Sequence, residues 1–186
     1  MRYEIRFSGF GGQGIITAGR IFAMSVIAQN PQLYIVYSPS YGFQTRGGSA
    51  MSDVIISDED VDYPKASSLN VGYFLSQEAF NKFCGLLDKN GIGILDKSLV
   101  HDVSLCSGKK LYNLDIVKNA EEIGGLLFTS TIVLGITSYL LKNFSSKETI
   151  EKTVSSYFKK TYMEKNLLAL EKGYNLAKEV FKDVIV

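Results

Sequence analysis

The sequence predicts an α/β fold: a doubly wound, mostly parallel sheet with helices on both faces and a helical C-terminal third. Three observations lead there. An alternating apolar run near the N-terminus, "YEIRFSGF", meets a cluster of glycines and then a helix-periodic segment. A second apolar run, "LYIVYS", follows that helix and completes a βαβ unit. From Ile116 onward the periodicity is helical almost without interruption.

The elements follow in order. The first strand, "YEIRFSGF", leads into "GIITAGRIFAMSVIAQN", whose apolar residues Ile15, Ile16, Ile21, Phe22, Met24, Val26 and Ile27 fit a helix ended by Gln29-Asn30-Pro31. "LYIVYS" is the second strand, closed by Pro39. The βαβ start predicts a parallel pair with a right-handed crossover. "PSYGFQTRGGSAMSDVIISDED" reads as a glycine-rich loop entering a third strand near Ser49 to Ser57. "SLNVGYFLS" is a buried strand, and "QEAFNKFCGLLDKNG" an amphipathic helix closed by Gly91. "GIGILDKS" and Lys110 to Leu114 are two further strands. Helices are expected over 116–123, 125–143, 147–159 and 161–182. There is no repeat, low-complexity tract or linker, so one domain over 1–186 is the simplest organisation.

Of the 186 residues 46% are hydrophobic, enough for one substantial core, and 20 Lys+Arg nearly cancel 19 Asp+Glu. That balance gives no support for nucleic-acid binding or an anionic membrane surface, and it permits close association with other protein chains. Charges at positions two, four and six of "MRYEIRF" argue against a signal peptide. The uncharged stretch "GGLLFTSTIVLGITSYLL" barely reaches a bilayer-spanning length and carries three glycines, so a helix buried in a protein core accounts for it better. A cytoplasmic protein is expected. Cys84 and Cys106, with no Cys-x-x-Cys spacing, read as two reduced buried thiols. Two such ligands supply neither a metal nor an iron–sulfur site. His101, the only histidine, sits among turn residues.

The glycine loop, Gly9-Phe10-Gly11-Gly12-Gln13-Gly14, contains Gly-x-Gly-x-x-Gly. Its glycines allow a sharp turn and close approach to the main chain, and the helix behind it offers N–H groups and a positive dipole end. A dinucleotide site would also want an acid near the end of the second strand. That strand ends Tyr37-Ser38-Pro39-Ser40, and the first acid afterwards is Asp53, inside the next strand. Arg46 would suit a 2′-phosphate but stands too far along the loop. A second cluster, Tyr41, Gly42, Gln44, Arg46, Gly47 and Gly48, follows the second strand. Loops at the carboxyl ends of parallel strands face one crevice, so the two clusters are expected to form a single edge of backbone donors, amides, a phenol and a guanidinium. Such a set binds and positions. No carboxylate pair, Ser/His couple or activated thiol is visible, so no catalytic residue is assigned.

Four segments together resemble one family. Gly9 to Gly14 match G-x-G-G-Q-G; Tyr41-Gly42-Phe43-Gln44-Thr45-Arg46-Gly47-Gly48 is similar to Y-G-x-E-x-R-G-G, with Gln44 in place of the usual Glu. Leu75-Ser76-Gln77-Glu78-Ala79 resembles a stretch of the 2-oxoglutarate type, and Asn166, Ala169 and Gly173 fit N-x-x-A-x-x-x-G. Ser130 stands where an Asn commonly precedes the Leu-Gly found here as Leu134-Gly135. In order and over nearly the whole chain, these segments resemble the gamma subunit of 2-oxoacid:ferredoxin (acceptor) oxidoreductases. The resemblance implies a non-autonomous subunit of an enzyme that oxidatively decarboxylates a 2-oxoacid, 2-oxoglutarate above all, to its acyl-CoA. It implies alpha, beta and ferredoxin-like partner subunits. Thiamine diphosphate, iron–sulfur clusters and coenzyme A then belong to the whole complex, with none held firmly by this chain alone, and a homodimer is compatible with it. The glycine loops would serve cofactor binding or a subunit interface. The rival readings are a stand-alone NAD(P)- or nucleotide-binding Rossmann-like protein and a purely structural interaction domain.

Overall fold

The computed structural model describes residues 1–41 and 48–182. Its centre is a six-stranded sheet built from β1 (Arg2–Phe10), β2 (Tyr34–Tyr41), β3 (Ser49–Ser57), β4 (Leu69–Phe74), β5 (Leu87–Asp96) and β6 (Lys110–Leu114), in the order β2-β3-β1-β4-β5-β6. β1, β4, β5 and β6 pair in parallel. β3 runs antiparallel to both β1 and β2. β2 therefore points the same way as β1 without touching it, and the expected direct β1–β2 pair is replaced by a hairpin strand inserted between them. Hydrophobic period alone cannot report such an insertion, because β3 is as apolar as the strands it separates.

The helices are α1 (Ile15–Gln29), α2 (Gln77–Phe83), α3 (Ile116–Ile123), α4 (Thr129–Leu140), α5 (Lys147–Tyr157) and α6 (Met163–Val180). One correction concerns the 77–91 segment. Its helix ends at Phe83, a 3₁₀ turn spans Cys84–Leu86, and Leu87 already begins β5. The amphipathic pattern is overridden because Gly91 lies against the Leu69 carbonyl, where a side chain would clash, so pairing with β4 claims the residues before it.

The two faces of the sheet are covered unequally, which qualifies the expectation of helices on both. Ile5, Phe7, Val54, Ile56 and Tyr73 share one apolar cluster with α1, α3, α4, α5 and α6. Phe7 stacks on Tyr73 with ring centroids 4.9 Å apart, and the Tyr73 hydroxyl shares a 2.8 Å hydrogen bond with Thr137 of α4. The other face carries a smaller cluster with only α2 and 3₁₀ turns, including Phe74, Phe80, Leu95, Cys84 and Cys106. The cysteines are buried as expected but are joined as a disulfide. Their separation of 22 residues hides the pairing in the sequence; it forms because two 3₁₀ turns fold over the same face.

Beyond that cluster the second face is covered by the segment 58–68, held by buried charge. The Arg6 guanidinium donates to both carboxylate oxygens of Asp53, each at 2.7 Å, and to the Ala66 carbonyl at 3.2 Å. Asp53 also accepts from the Ala66 amide at 3.0 Å, and Glu4 accepts from the amides of Ser67 and Ser68 at 2.5 and 2.8 Å. Asp53, the first acid after β2, is thus fully occupied.

The uncharged stretch predicted as a buried helix is α4, covered by the chain's own helices and sheet: all its residues but Tyr139 are buried. Among the described residues no single helix is long and apolar enough to cross a membrane. α4 crosses α6 so closely that a Cβ on Gly173 would lie 2.8 Å from the Ile132 carbonyl carbon, and one on Gly135 would lie 2.7 Å from the Tyr174 nitrogen. Asn166 locks the same crossing, its Oδ1 accepting from the Thr131 hydroxyl at 2.7 Å and its Nδ2 donating to the Tyr162 carbonyl at 2.9 Å. The Asn166, Ala169, Gly173 pattern is a helix-packing signature.

Gly173→Ala must push these helices apart and should cost about 1–3 kcal/mol, read as a lower urea midpoint at unchanged slope. Asp53→Ala leaves Arg6 buried without its counter-charge and should cost about 3–5 kcal/mol in the same measurement. A loss below about 1 kcal/mol for Asp53→Ala would show that the ion pair does not hold the 58–68 segment.

Candidate functional site

The carboxyl ends of β1, β2, β4 and β5 lie along one edge of the sheet, and the glycine loop leaves β1 there. Gln13 shapes it. The side chain is fully buried; Oε1 accepts from the Phe10 amide and Nε2 donates to the Leu75 carbonyl, each at 3.0 Å. The amide thus ties the end of β1 to the end of β4 and is internal to the loop. Gly9 is required by the same arrangement, because a Cβ there would run into the Gln13 carbonyl oxygen.

The remaining glycines divide by task. Gly11 is exposed, and its N–H donates to the Gly48 carbonyl at 2.9 Å. Gly12, at φ 100°, is exposed with open space where a side chain would stand. Gly14, at φ 71°, precedes α1, and its Cα is packed so closely on α4 that a Cβ would lie 2.7 Å from that of Ser130. The Gly11–Gly48 bond brings the two glycine clusters together at one sheet edge. Tyr41, 74% exposed, ends β2 beside them. Gly42, Gln44, Arg46 and Gly47 lie outside the described residues.

Behind Tyr41, the Tyr37 hydroxyl donates to the Ile16 carbonyl at 2.9 Å. Burial, reinforced by the neighbouring Tyr41, pushes its pKa up to about 12, so it remains a donor throughout the neutral range.

The close contact of Gly14 with Ser130 sets the N-terminus of α4 beside that of α1. Gly124 and Gly125, at φ 150° and 122°, turn the chain from α3 into this start. Thr129, the first residue of α4, is wholly buried and its hydroxyl has no hydrogen-bond partner among the described residues. Sequence reasoning missed this packing of Gly14 on Ser130; the glycine pair ahead of α4 was the available signal. A 3₁₀ turn, Leu126–Phe128, runs directly into α4, and the Phe128 and Thr129 amides donate to the Gly125 and Leu126 carbonyls. The uncapped helix start at this edge is therefore that of α1, whose first-turn N–H groups and positive dipole end favour an anionic group.

Among the described residues no free carboxylate, histidine or thiol lies at this edge. Glu4 and Asp53 are consumed on the other face, and the buried Asp96 accepts from Ser98 and from the Val117 amide at 2.7 Å. His101 is exposed, held through its backbone by Gln77 Oε1 at 2.9 Å, while Gln77 Nε2 donates to the Asp102 carbonyl at 2.7 Å. The Leu75 to Ala79 stretch is thereby explained: Leu75 receives Gln13, Ser76 caps α2 by accepting from the Ala79 amide at 3.1 Å, and Gln77 clamps the 101–102 turn. Among the described residues no group of three His, Cys, Asp or Glu could hold a metal ion, and both cysteines are committed to the disulfide. The residues of this chain do not fit an iron–sulfur cluster.

Comparison with known proteins identifies this architecture. The family model described as pyruvate ferredoxin/flavodoxin oxidoreductase matches residues 4–176. The 2-oxoglutarate synthase subunit KorC of Methanocaldococcus jannaschii is 38% identical over 181 residues, covering 97% of this chain and 96% of that one. The gamma subunit of a keto/oxoacid ferredoxin oxidoreductase from Geobacter sulfurreducens superposes with a TM-score of 0.82 at 34% identity, covering 97% and 98% of the two chains. The 2-oxoglutarate:ferredoxin oxidoreductase of Magnetococcus marinus, solved with 2-oxoglutarate, coenzyme A and succinyl-CoA bound, contains the same fold. Its TM-score is 0.84 at 23% identity, covering 96% of this chain but only 31% of that one. The chain belongs to the pyruvate ferredoxin/flavodoxin oxidoreductase family, as a gamma-type subunit of a 2-oxoacid oxidoreductase complex most like the 2-oxoglutarate type.

Proposed function

We propose that this chain serves a cytoplasmic enzyme that converts 2-oxoglutarate to its acyl-CoA and passes the electrons to ferredoxin, and that its glycine edge helps hold coenzyme A where the companion subunits meet. The observation that carries this reading is the exposed Gly11-Gly12 turn leading through Gly14 into α1, a helix start with no side-chain cap. Backbone donors and a helix dipole end suit a phosphate-bearing ligand and supply no acid–base or redox group. Thiamine diphosphate and the iron–sulfur clusters then sit on the alpha, beta and ferredoxin-like subunits. Coenzyme A fits the edge as an anion: the Gly11–Gly14 loop and the first turn of α1 would hold its phosphates.

The 2-oxoglutarate assignment is supported by the KorC relative at 38% identity. The stand-alone dinucleotide reading lacks its acid, since β2 ends without one and Asp53 is bound by Arg6.

The assembled complex, assayed with several 2-oxoacids, should reduce its acceptor fastest with 2-oxoglutarate, and the isolated chain should reduce none. Gly12→Asp puts a carboxylate on the exposed turn, where a side chain meets open space. It should raise KM for coenzyme A about tenfold or more by repelling the phosphates, while leaving KM for the 2-oxoacid unchanged. The backbone at φ 100° should cost the isolated chain about 1–2 kcal/mol with a side chain present, read as a modestly lower thermal midpoint. An unchanged KM for coenzyme A would remove the ligand from this edge.

A further inference from the structure

We infer that the outer face of α1, together with the edge strand β2 and the end of α5, is the docking surface for a larger companion polypeptide of the complex, which presents carboxylates to Arg20 and an apolar strip to Met24 and Ile27. This rests on the subunit reading above.

The face has the make-up of an interface rather than of a solvated surface. On α1 the buried side is taken by Ala18, Ile21, Phe22 and Val26. The outward stripe is Arg20, Met24 and Ile27, at helical spacing, with Met24 and Ile27 41% and 51% exposed. α1 packs along β2 and α5, so the stripe is continuous with both. The Arg20 guanidinium lies 5.7 Å from the Tyr157 ring at the end of α5, and Arg20, Tyr157 and Tyr41 all act on the half-buried Tyr37. Exposed arginine, methionine and tyrosine are the residues enriched in recognition cores. β2 is also the outer strand of its sheet, leaving one row of backbone groups without a strand partner.

Two facts select the occupant. Neither α1 nor β2 contains a single acidic residue, and Arg20 makes no ion pair among the described residues; exposed Lys159 and Lys160 follow Tyr157. A second copy would bring the same cations to meet these, whereas a companion with carboxylates is attracted. Tyr41, at the end of β2, extends the exposed aromatic character of this face. In the Magnetococcus protein this fold is 31% of a longer chain, so there it sits alongside further polypeptide.

The test is assembly. Wild-type chain and variants are co-expressed with the companion subunits, captured through a tag on a companion, and quantified. Met24→Asp with Ile27→Asp should leave the secondary structure of the isolated chain unchanged and lower its thermal midpoint by only a few degrees, because both side chains lie outside the core, and should cut co-purification at least tenfold. Arg20→Glu should weaken capture and abolish its dependence on salt. Leu105→Asp, 65% exposed on the other face, should assemble normally. Wild-type capture by the double variant overturns the proposal. So does an isolated-chain dimer that the double variant splits while capture is untouched, since the occupant is then a second copy. Failure of the functional reading shows separately, as a fully assembled wild-type complex that reduces no acceptor with any 2-oxoacid.

Discussion

The side chain of Gln13 is the tie on which the glycine edge depends. By accepting from Phe10 and donating to Leu75, it closes the turn after β1 against the end of β4 and sets where α1 begins. Everything outward follows. Gly9 must lack a side chain to admit the amide, Gly11 and Gly12 are pushed into solvent, and Gly14 is carried onto α4. An amide suits this place because it satisfies one buried acceptor and one buried donor at once, without the desolvation cost of a charge. A residue that looked like a ligand contact is in fact the brace behind the contacts.

Charge in this chain is divided in the same spirit. The bidentate Arg6–Asp53 pair and Glu4 lie on the face away from the helices, where they hold the 58–68 segment over the sheet. A buried pair of this kind is weak evidence for net stability, yet the Ala66 carbonyl and amide bond it further and Phe83 lies against the guanidinium, which makes the burial tolerable. Together with Asp96 these are the buried charges among the described residues, and they are spent on architecture. The glycine edge offers main-chain donors and the dipole end of α1.

The helical layer gives the edge its rigidity. α4 is enclosed on nearly all sides, and its crossing with α6 relies on Gly135 and Gly173 letting two backbones touch, with Asn166 holding the register. Tyr73 pins α4 to the sheet through Thr137. The start of α4, where Ser130 meets Gly14, is therefore fixed from the sheet and from α6 together. A site made of backbone groups can only be as well placed as the elements that carry it.

The sequence by itself determined the α/β class, most strand and helix positions and the glycine loop, because strand alternation, helical period and glycine clusters are local properties that survive any arrangement of neighbours. It also carried the family, since four separated motifs kept their order. What it could not reveal depends on meetings between distant residues. β3 separates β1 from β2 through pairing alone, and the 77–91 helix yields halfway to a strand because β4 is there to pair with. Cys84 and Cys106 join because two turns happen to share a face, whereas a spacing of 22 residues says nothing. Above all, Gln13 reads as a ligand residue in a motif and becomes a brace only when Leu75, 62 positions away, presents its carbonyl. Local pattern is written in the chain; partnership across it is decided only when the chain has folded.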